Sequence, residues 1–457
     1  MEWIRVLTYW EVDILSTPNI VCITTHDLGR HLHGYGARTV RTPHLDRLAN
    51  RGVRFAQAYC SAPQCSPARA SLATGRYPHT CGVMGLSHAE FAWHLPPSEK
   101  HMAYYLRENG YDTALVGFQH ITTDQRIPDL GFSEWYLGGR SAVAGPNAVR
   151  WINRRASGGF TKPFYLEVAF DDTHRPWGKN PADWSLGTER LRWLPPYPGS
   201  DQEMAEFQGD IFAIDQQVGA IVAALEQSGL RDNTWVLFTS DHGIDMPRAK
   251  GTLYDPGIEV PLIMDWPQGA IGSGQVINDL ISHIDVLPTI LSALNLPVPS
   301  CIQGRSFWPR LIGQSYAART EIFAEKTYHS VYDPLRAIRT PTHKLIVHFD
   351  TYDTVDVPID AKESPAYELM RRELTRPHRY LELFDLESDP LERENLAFRS
   401  ETLDVLDHHL GRLRRWMQET EDPLLRGPIP SPTLLRALDM VTGRLGLQEF
   451  LRTVEPT

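Results

Sequence analysis

Residues 203–243 read EMAEFQGDIFAIDQQVGAIVAALEQSGLRDNTWVLFTSDHG. The first part sets apolar residues at helical spacing and stops at Gly229, a residue suited to ending a helix. TWVLFTS (234–240) then reads as a buried strand, short and rich in β-branched and aromatic residues. A helix that hands the chain to a buried strand is the building unit of parallel α/β sheets. The strand runs directly into two polar residues, Asp241 and His242.

The same grammar extends in both directions. NIVCIT (19–24), TALVG (113–117), FYLEVAF (164–170) and VPLIM (260–264) read as further buried strands, with helical patterns in TPHLDRLANRG (42–52) and KHMAYYLRENG (100–110). The alternation predicts a mostly parallel sheet flanked by helices. After about residue 310 the pattern changes. TEIFAEKTYHS, LRAIRTPTHKLIVHFD and RYLELFDL read as antiparallel strands, and LDVLDHHLGRLRRWMQET as a helix packed on them. The expected organisation is an N-terminal extension (1–16), an α/β catalytic domain (17–314) and a smaller α+β domain (315–457).

Composition narrows the function. The chain has 457 residues, 42% of them hydrophobic, enough for a large core and a second domain. Its formal net charge is −11 and no block of Lys and Arg stands out, which argues against a nucleic-acid surface. An anionic substrate would have to be attracted by local charges. Five cysteines at irregular spacing give neither a disulfide framework nor a structural zinc pair. The opening MEWIRVLTYWEVDIL carries charges through its apolar run and does not read as a signal peptide. No uncharged run approaches a membrane span. A cytoplasmic protein is the expectation.

Polar residues gather at strand ends. His26 and Asp27 follow the first strand, His120 follows TALVG, Asp171, Asp172 and His174 follow FYLEVAF, and Asp241 and His242 follow TWVLFTS. Ligands of open α/β sheets bind at the carboxyl ends of the strands. Each residue singly is explained by capping or turn chemistry; four segments converging point to a site. A second signal is CSPARASLATGR (65–76). Ser66 suits an N-cap and Pro67 a first helical turn, which predicts Cys65 just ahead of a helix N-terminus, with Arg69 able to point back at it. Free N–H groups and the helix dipole there favour anions and lower a thiol pKa. The bland reading of Cys65 is an inert buried thiol.

Cys65-Ser66-Pro67-Ala68-Arg69, continuing to Thr74-Gly75-Arg76, resembles the signature of type I sulfatases. TPNIVCITTHDLGRHLHGYG, FTSDHG, KGTLYDPGIEVPLI and ELFDLESDPLERENLA extend the resemblance over nearly the whole chain. VAFDDTHRP, Glu259, TYHSVYDPLRAIR and WMQETEDP bring it nearest to N-sulfoglucosamine sulfohydrolases. The resemblance implies an alkaline-phosphatase-like α/β core and hydrolysis of a sulfate ester or sulfamate on a small, sugar-like substrate. It implies that a maturation enzyme oxidises Cys65 to formylglycine. The hydrated aldehyde would offer one hydroxyl as nucleophile and use the other to release sulfate. Asp27, Asp241 and His242 would hold one divalent cation, Ca²⁺ by family habit. Arg69 would brace the diol and a metal carboxylate. His174 would protonate the leaving group, and Lys250 would face the sulfate from the far side. Arg175, His329 and Arg336 would reach an acidic sugar from the rim, or else be ordinary surface charges.

Two positions depart from the family. His26 stands where a second acid is usual. If it ligates, two imidazoles favour Mn²⁺ or Zn²⁺ over Ca²⁺; otherwise it only hydrogen-bonds nearby. Phe118-Gln119-His120 stands where the family has Lys-x-His, so a sulfate-binding lysine is missing while His120 remains. The rival readings are a phosphonate monoester or phosphodiester hydrolase of the same superfamily, and an inactive sugar-binding relative. A homo-oligomer is the working expectation.

Overall fold

The computed structural model describes residues 17–88, 91–159, 161–269, 271–272, 274–350, 356–374 and 380–449. The expected extension, 1–16, lies outside the described residues. Eight strands form the main sheet: β1 (Asn19–Thr25), β2 (Val53–Tyr59), β3 (Asp112–Gly117), β4 (Glu134–Leu137), β5 (Phe164–Ala169), β6 (Thr234–Ser240), β7 (Leu262–Asp265) and β8 (Gln275–Ser282). Their order is β4-β3-β5-β1-β6-β7-β2-β8. β7 runs antiparallel to both of its neighbours, and the remaining pairs are parallel.

The central strands are apolar on both faces because helices cover both. Val21 and Ile23 of β1 pack with Leu45, Trp151, Phe207 and Ile214, from the helices Pro43–Arg51, Ser141–Ser157 and Ser200–Gln227. Ile20 and Cys22 of the same strand belong to the opposite core, with Ala68, Leu106 and Ile290 from the helices Cys65–Thr74, Met102–Glu108 and Val286–Ala293. The period-2 alternation of one strand thus serves two cores.

The elements that a reading by apolar runs passes over are instructive. β4 and β8 are the sheet's edges and carry exposed residues such as Trp135 and Val276. β2 alternates buried Val53 and Phe55 with half-buried Arg54 and Ala56. The helix Ser141–Ser157 is interrupted in sequence by Gly145 and Pro146, yet Gly145 is what lets it approach the long helix. A Cβ there would stand 2.1 Å from Gln217 Oε1.

A second sheet is antiparallel, in the order β12-β11-β10-β9. It comprises β9 (Ile322–Tyr328), β10 (Tyr332–Arg339), β11 (His343–His348) and β12 (Leu381–Asp385). The helix Leu403–Glu419 packs on it through Leu406, Leu413 and Trp416, whose ring stacks on Phe323 at 4.8 Å. Among the described residues no helix is long and apolar enough to cross a membrane.

Register places the polar strand ends side by side. Thr25 of β1 pairs with Ser240 of β6, Thr24 with Ala169 of β5, and Ala169 with Gly117 of β3. Gly117 has φ of +111°, and a Cβ there would meet the Ala169 carbonyl oxygen at 1.9 Å. Gly117→Ala is therefore expected to cost about 3 kcal/mol or more. A urea unfolding curve checks this, and a midpoint within error of the parent would contradict it.

Candidate active site

Beyond β1 the backbone turns sharply. Asp27 has φ of +59°, a conformation that aspartate tolerates better than most residues. Backbone N–H groups of this turn donate to the neighbouring strand end: Asp27 to Asp241 Oδ1 at 3.0 Å and Leu28 to Ser240 Oγ at 3.2 Å. His242 N–H donates to the same Asp241 oxygen at 2.8 Å. The β1 and β6 loops are thus laced together before any ligand arrives.

Cys65 is the first residue of its helix, and Gln64 occupies the N-cap. Ser66 is not the cap: its Oγ accepts from Ser87 N–H at 3.0 Å. All ten residues of this helix are buried, and small residues such as Ala68, Ala70 and Ala73 let it run through the interior. Cys65 Sγ lies 2.9 Å from His26 Nε2 and 3.4 Å from His242 Nε2. Burial opposes its ionisation, but His26 and Lys250 outweigh that and hold the thiol well below its ordinary range. Cys22, Cys60 and Cys81 show the contrast: burial pushes all three up, Cys81 to about 12. Arg69 does not turn back to Cys65. Its Nε donates to Asp241 Oδ2 at 3.0 Å, its Nη2 to Thr25 O at 3.0 Å, and the Phe118 ring lies 4.2 Å from its guanidinium carbon.

His26, Asp27, Cys65, Asp241 and His242 each place one ligand atom within 4.8 Å of all the others. Both imidazoles are oriented from behind. His26 Nδ1 lies 3.2 Å from Asp171 Oδ1, and His242 Nδ1 lies 2.9 Å from the Gly243 carbonyl. A histidine held this way presents Nε2 to a metal. Asp27 Oδ1, 3.0 Å from His242 Nε2, has no hydrogen-bond partner. Burial works against a charged His242, yet Asp241 and Asp27 push it up to about 10. These carboxylates call for a cation, and two imidazoles with two carboxylates suit a divalent one.

Around this cluster stand the other strand-end residues. His120 Nε2 is 2.8 Å from His88 Nδ1, and its ring centroid is 5.7 Å from that of His26. His174 Nδ1 faces the Arg175 carbonyl at 2.8 Å, and its ring centroid is 4.6 Å from that of His26. Lys250 is fully buried, with Nζ 2.6 Å from Asp27, 3.2 Å from Asp360 and 3.4 Å from Asp245. Burial disfavours its charge, but Asp245 and Asp27 hold the ammonium well above its ordinary range.

Two of the three residues expected at the rim, Arg175 and Arg336, are held in buried ion pairs. Arg336 is fully buried, with Nε 2.5 Å from Asp422 Oδ2 and Nη2 3.3 Å from Glu325. Its charge is neutralised inside the second sheet, so the rim assignment is corrected. Arg175 is buried too; it donates to Glu203 at 2.6 Å and to the Asp245 carbonyl at 3.0 Å, and stacks on Trp177. It ties the β5 and β6 loops to the long helix. His329 is buried, which pulls its pKa down to about 4, and it stays beside the site, where the charges of Lys250 and Cys65 act on it. Two residues beside Lys250 were not singled out from sequence. Asp245 follows closely on Asp241 in the same loop, a signal that was available. Asp360 has no local signal at all.

Residues 18–296 match the sulfatase family model, and residues 248–371 match the model described as N-sulphoglucosamine sulphohydrolase, C-terminal. The chain is 28% identical to human N-sulphoglucosamine sulphohydrolase, an alignment spanning 90% of this chain and 92% of that protein. It is also 28% identical to an ulvan-active sulfatase of Formosa agariphila, over 90% of this chain and 76% of the relative. Among solved structures, a putative sulfatase from Bacteroides fragilis superposes with a TM-score of 0.72 at 23% identity, over 91% of this chain and 98% of that one. A protein solved in complex with its substrate D-glucosamine-2-N,6-O-disulfate gives a TM-score of 0.69 at 19% identity, over 90% and 99% of the two chains. With more than half of its length matched by the family model and the polar strand ends gathered around Cys65, the chain belongs to the sulfatase family.

Proposed function

We propose that this protein hydrolyses a sulfate ester or sulfamate on a sugar, using Cys65 after its conversion to formylglycine. Water is consumed, the sulfur–oxygen or sulfur–nitrogen bond breaks, and sulfate and an alcohol or amine leave. The observation that carries the reading is the position of Cys65 Sγ. It sits at a helix N-terminus, 2.9 Å from His26, inside the ring of metal-type donors. Sγ marks the place that an oxygen on the same Cβ takes after conversion. His26, Asp27, Asp241 and His242 would hold the divalent cation, whose Lewis acidity would polarise the sulfuryl oxygens. The donor set favours Mn²⁺ or Zn²⁺ over Ca²⁺, because two of the four donors are imidazoles.

The chain's own side chains do the rest. Arg69 fixes Asp241 through its Nε and leaves no slack in the β6 loop. Lys250 supplies a buried positive charge beside Asp27, on which a sulfate oxygen would rest. His174 keeps Nδ1 on a carbonyl and turns Nε2 towards Asp360, 3.4 Å away, where it would carry the proton that the leaving atom needs. Phe118 covers Arg69 where the family's lysine would reach in, so Lys250 carries more of the sulfate's charge.

Peptide mass spectrometry across Cys65, on protein made with and without a co-expressed maturation enzyme, tests the reading. Formylglycine in the first sample and turnover of N-sulfoglucosamine or a sugar O-sulfate are expected. Unmodified cysteine in both samples, or turnover of phosphonate esters alone, would sink it.

A further inference from the structure

Lys250 carries one positive charge and is faced by three carboxylates. Asp27 at 2.6 Å and Asp245 at 3.4 Å, both fully buried, are its interior partners. The third, Asp360, is the one that comes from outside the strand ends. It opens a single 3-10 turn, Asp360–Glu363, far along the chain from the strand ends that supply the other groups. Its side chain is 33% exposed, so it is the carboxylate that an arriving molecule meets first. The same oxygen, Oδ2, lies 3.2 Å from Lys250 Nζ and 3.4 Å from His174 Nε2.

This position has a chemical consequence, which rests on the reaction proposed above. His174 Nε2 would face the atom that bridges sulfur and sugar. An acceptor 3.4 Å from Nε2 is within reach of that same bridging atom. In a sulfamate the bridging atom is nitrogen and carries an N–H; in a sulfate ester it is oxygen and carries no hydrogen. A carboxylate offers only acceptors, so it rewards the N–H and repels the lone pairs of the ester oxygen. We propose that Asp360 is a specificity-determining residue that accepts the sulfamate N–H and makes the site discriminate against esters of the same sugar.

The test compares the parent enzyme with Asp360→Asn and Asp360→Ala on N-sulfoglucosamine and on glucosamine 6-sulfate. An amide at 360 keeps the size of the side chain and can donate to an ester oxygen. The sulfamate-to-ester ratio of kcat/KM is expected to fall about tenfold to a hundredfold in Asp360→Asn, carried by the sulfamate. A ratio unchanged within about twofold, with both substrates falling together, would make Asp360 a counter-ion of Lys250 and overturn the proposal. If the parent enzyme cleaves neither sugar, the reaction reading fails, and Asp360 is then judged by binding alone. An NMR titration with D-glucosamine, whose nitrogen carries the donors, should show binding weakened about tenfold in Asp360→Asn. Equal binding by both proteins, or none by the parent, overturns the inference.

Discussion

Cys65→Ala is expected to remove turnover almost entirely, a loss of about 10⁴-fold or more in kcat, because a nucleophile that forms a covalent intermediate has no substitute in the site. The surrounding groups cannot stand in for it. His26 and His242, the nearest at 2.9 and 3.4 Å, are oriented towards the cluster by contacts on their opposite ring nitrogens. The substitution removes one buried sulfur from a helix already rich in alanine, so the fold should survive. Thermal unfolding of parent and variant measured beside the rates separates lost chemistry from lost structure. Activity within tenfold of the parent, in a folded variant, would require another nucleophile and would contradict the assignment (about 1.4 kcal/mol in barrier).

Lys250→Ala should damage both stability and rate. Removing the ammonium leaves Asp27, Asp245 and Asp360 facing one another without their shared cation. Stripping one partner from a buried ion pair costs about 3–5 kcal/mol, and losing a preorganised positive charge costs about 10²–10³ in kcat. The stability loss should depend on pH. In the parent, burial raises Asp245 to about 6 even though Lys250 pulls the other way. Without Lys250 that carboxyl rises further, so the folded variant holds a proton that the unfolded chain has released. Stability then falls as pH rises, and the deficit against the parent should be smaller near pH 5 than near pH 8. Urea titrations at the two values measure this; a deficit independent of pH would show that Asp245 is not the group left uncompensated.

What sequence conveyed about this molecule followed how local each signal was. The central strands could be read because each is apolar on both faces, and the acids and histidines behind them could be read because they follow those strands directly. Cys65 and Arg69 lie within one helical turn, so their spacing alone carried information. Edge strand β4 has no buried residue and β8 mixes exposed with buried ones, so neither reads as a buried strand. The direction of β7 is set by its neighbours, not by its four residues. Arg336 looked like a surface cation because its partner, Asp422, is 86 residues away, and a buried arginine has no mark of its own. Asp360 shows the same limit in reverse: 110 residues separate it from Lys250, and only the folded chain brings them together.

The burial of the helix that begins at Cys65 also sets a clock. In the folded protein Cys65 is 3% exposed, and Arg69 is fastened to Asp241, which lies 172 residues later in the chain. Until Asp241 has been synthesised, that fastening has no partner, and the stretch around Cys65 would remain open to the modification proposed for it. At about 5–20 residues added per second, the interval is roughly 9 to 35 s. If the proposed conversion of Cys65 precedes folding, its yield is a race between translation and modification, and slower codons between positions 69 and 241 should raise the modified fraction.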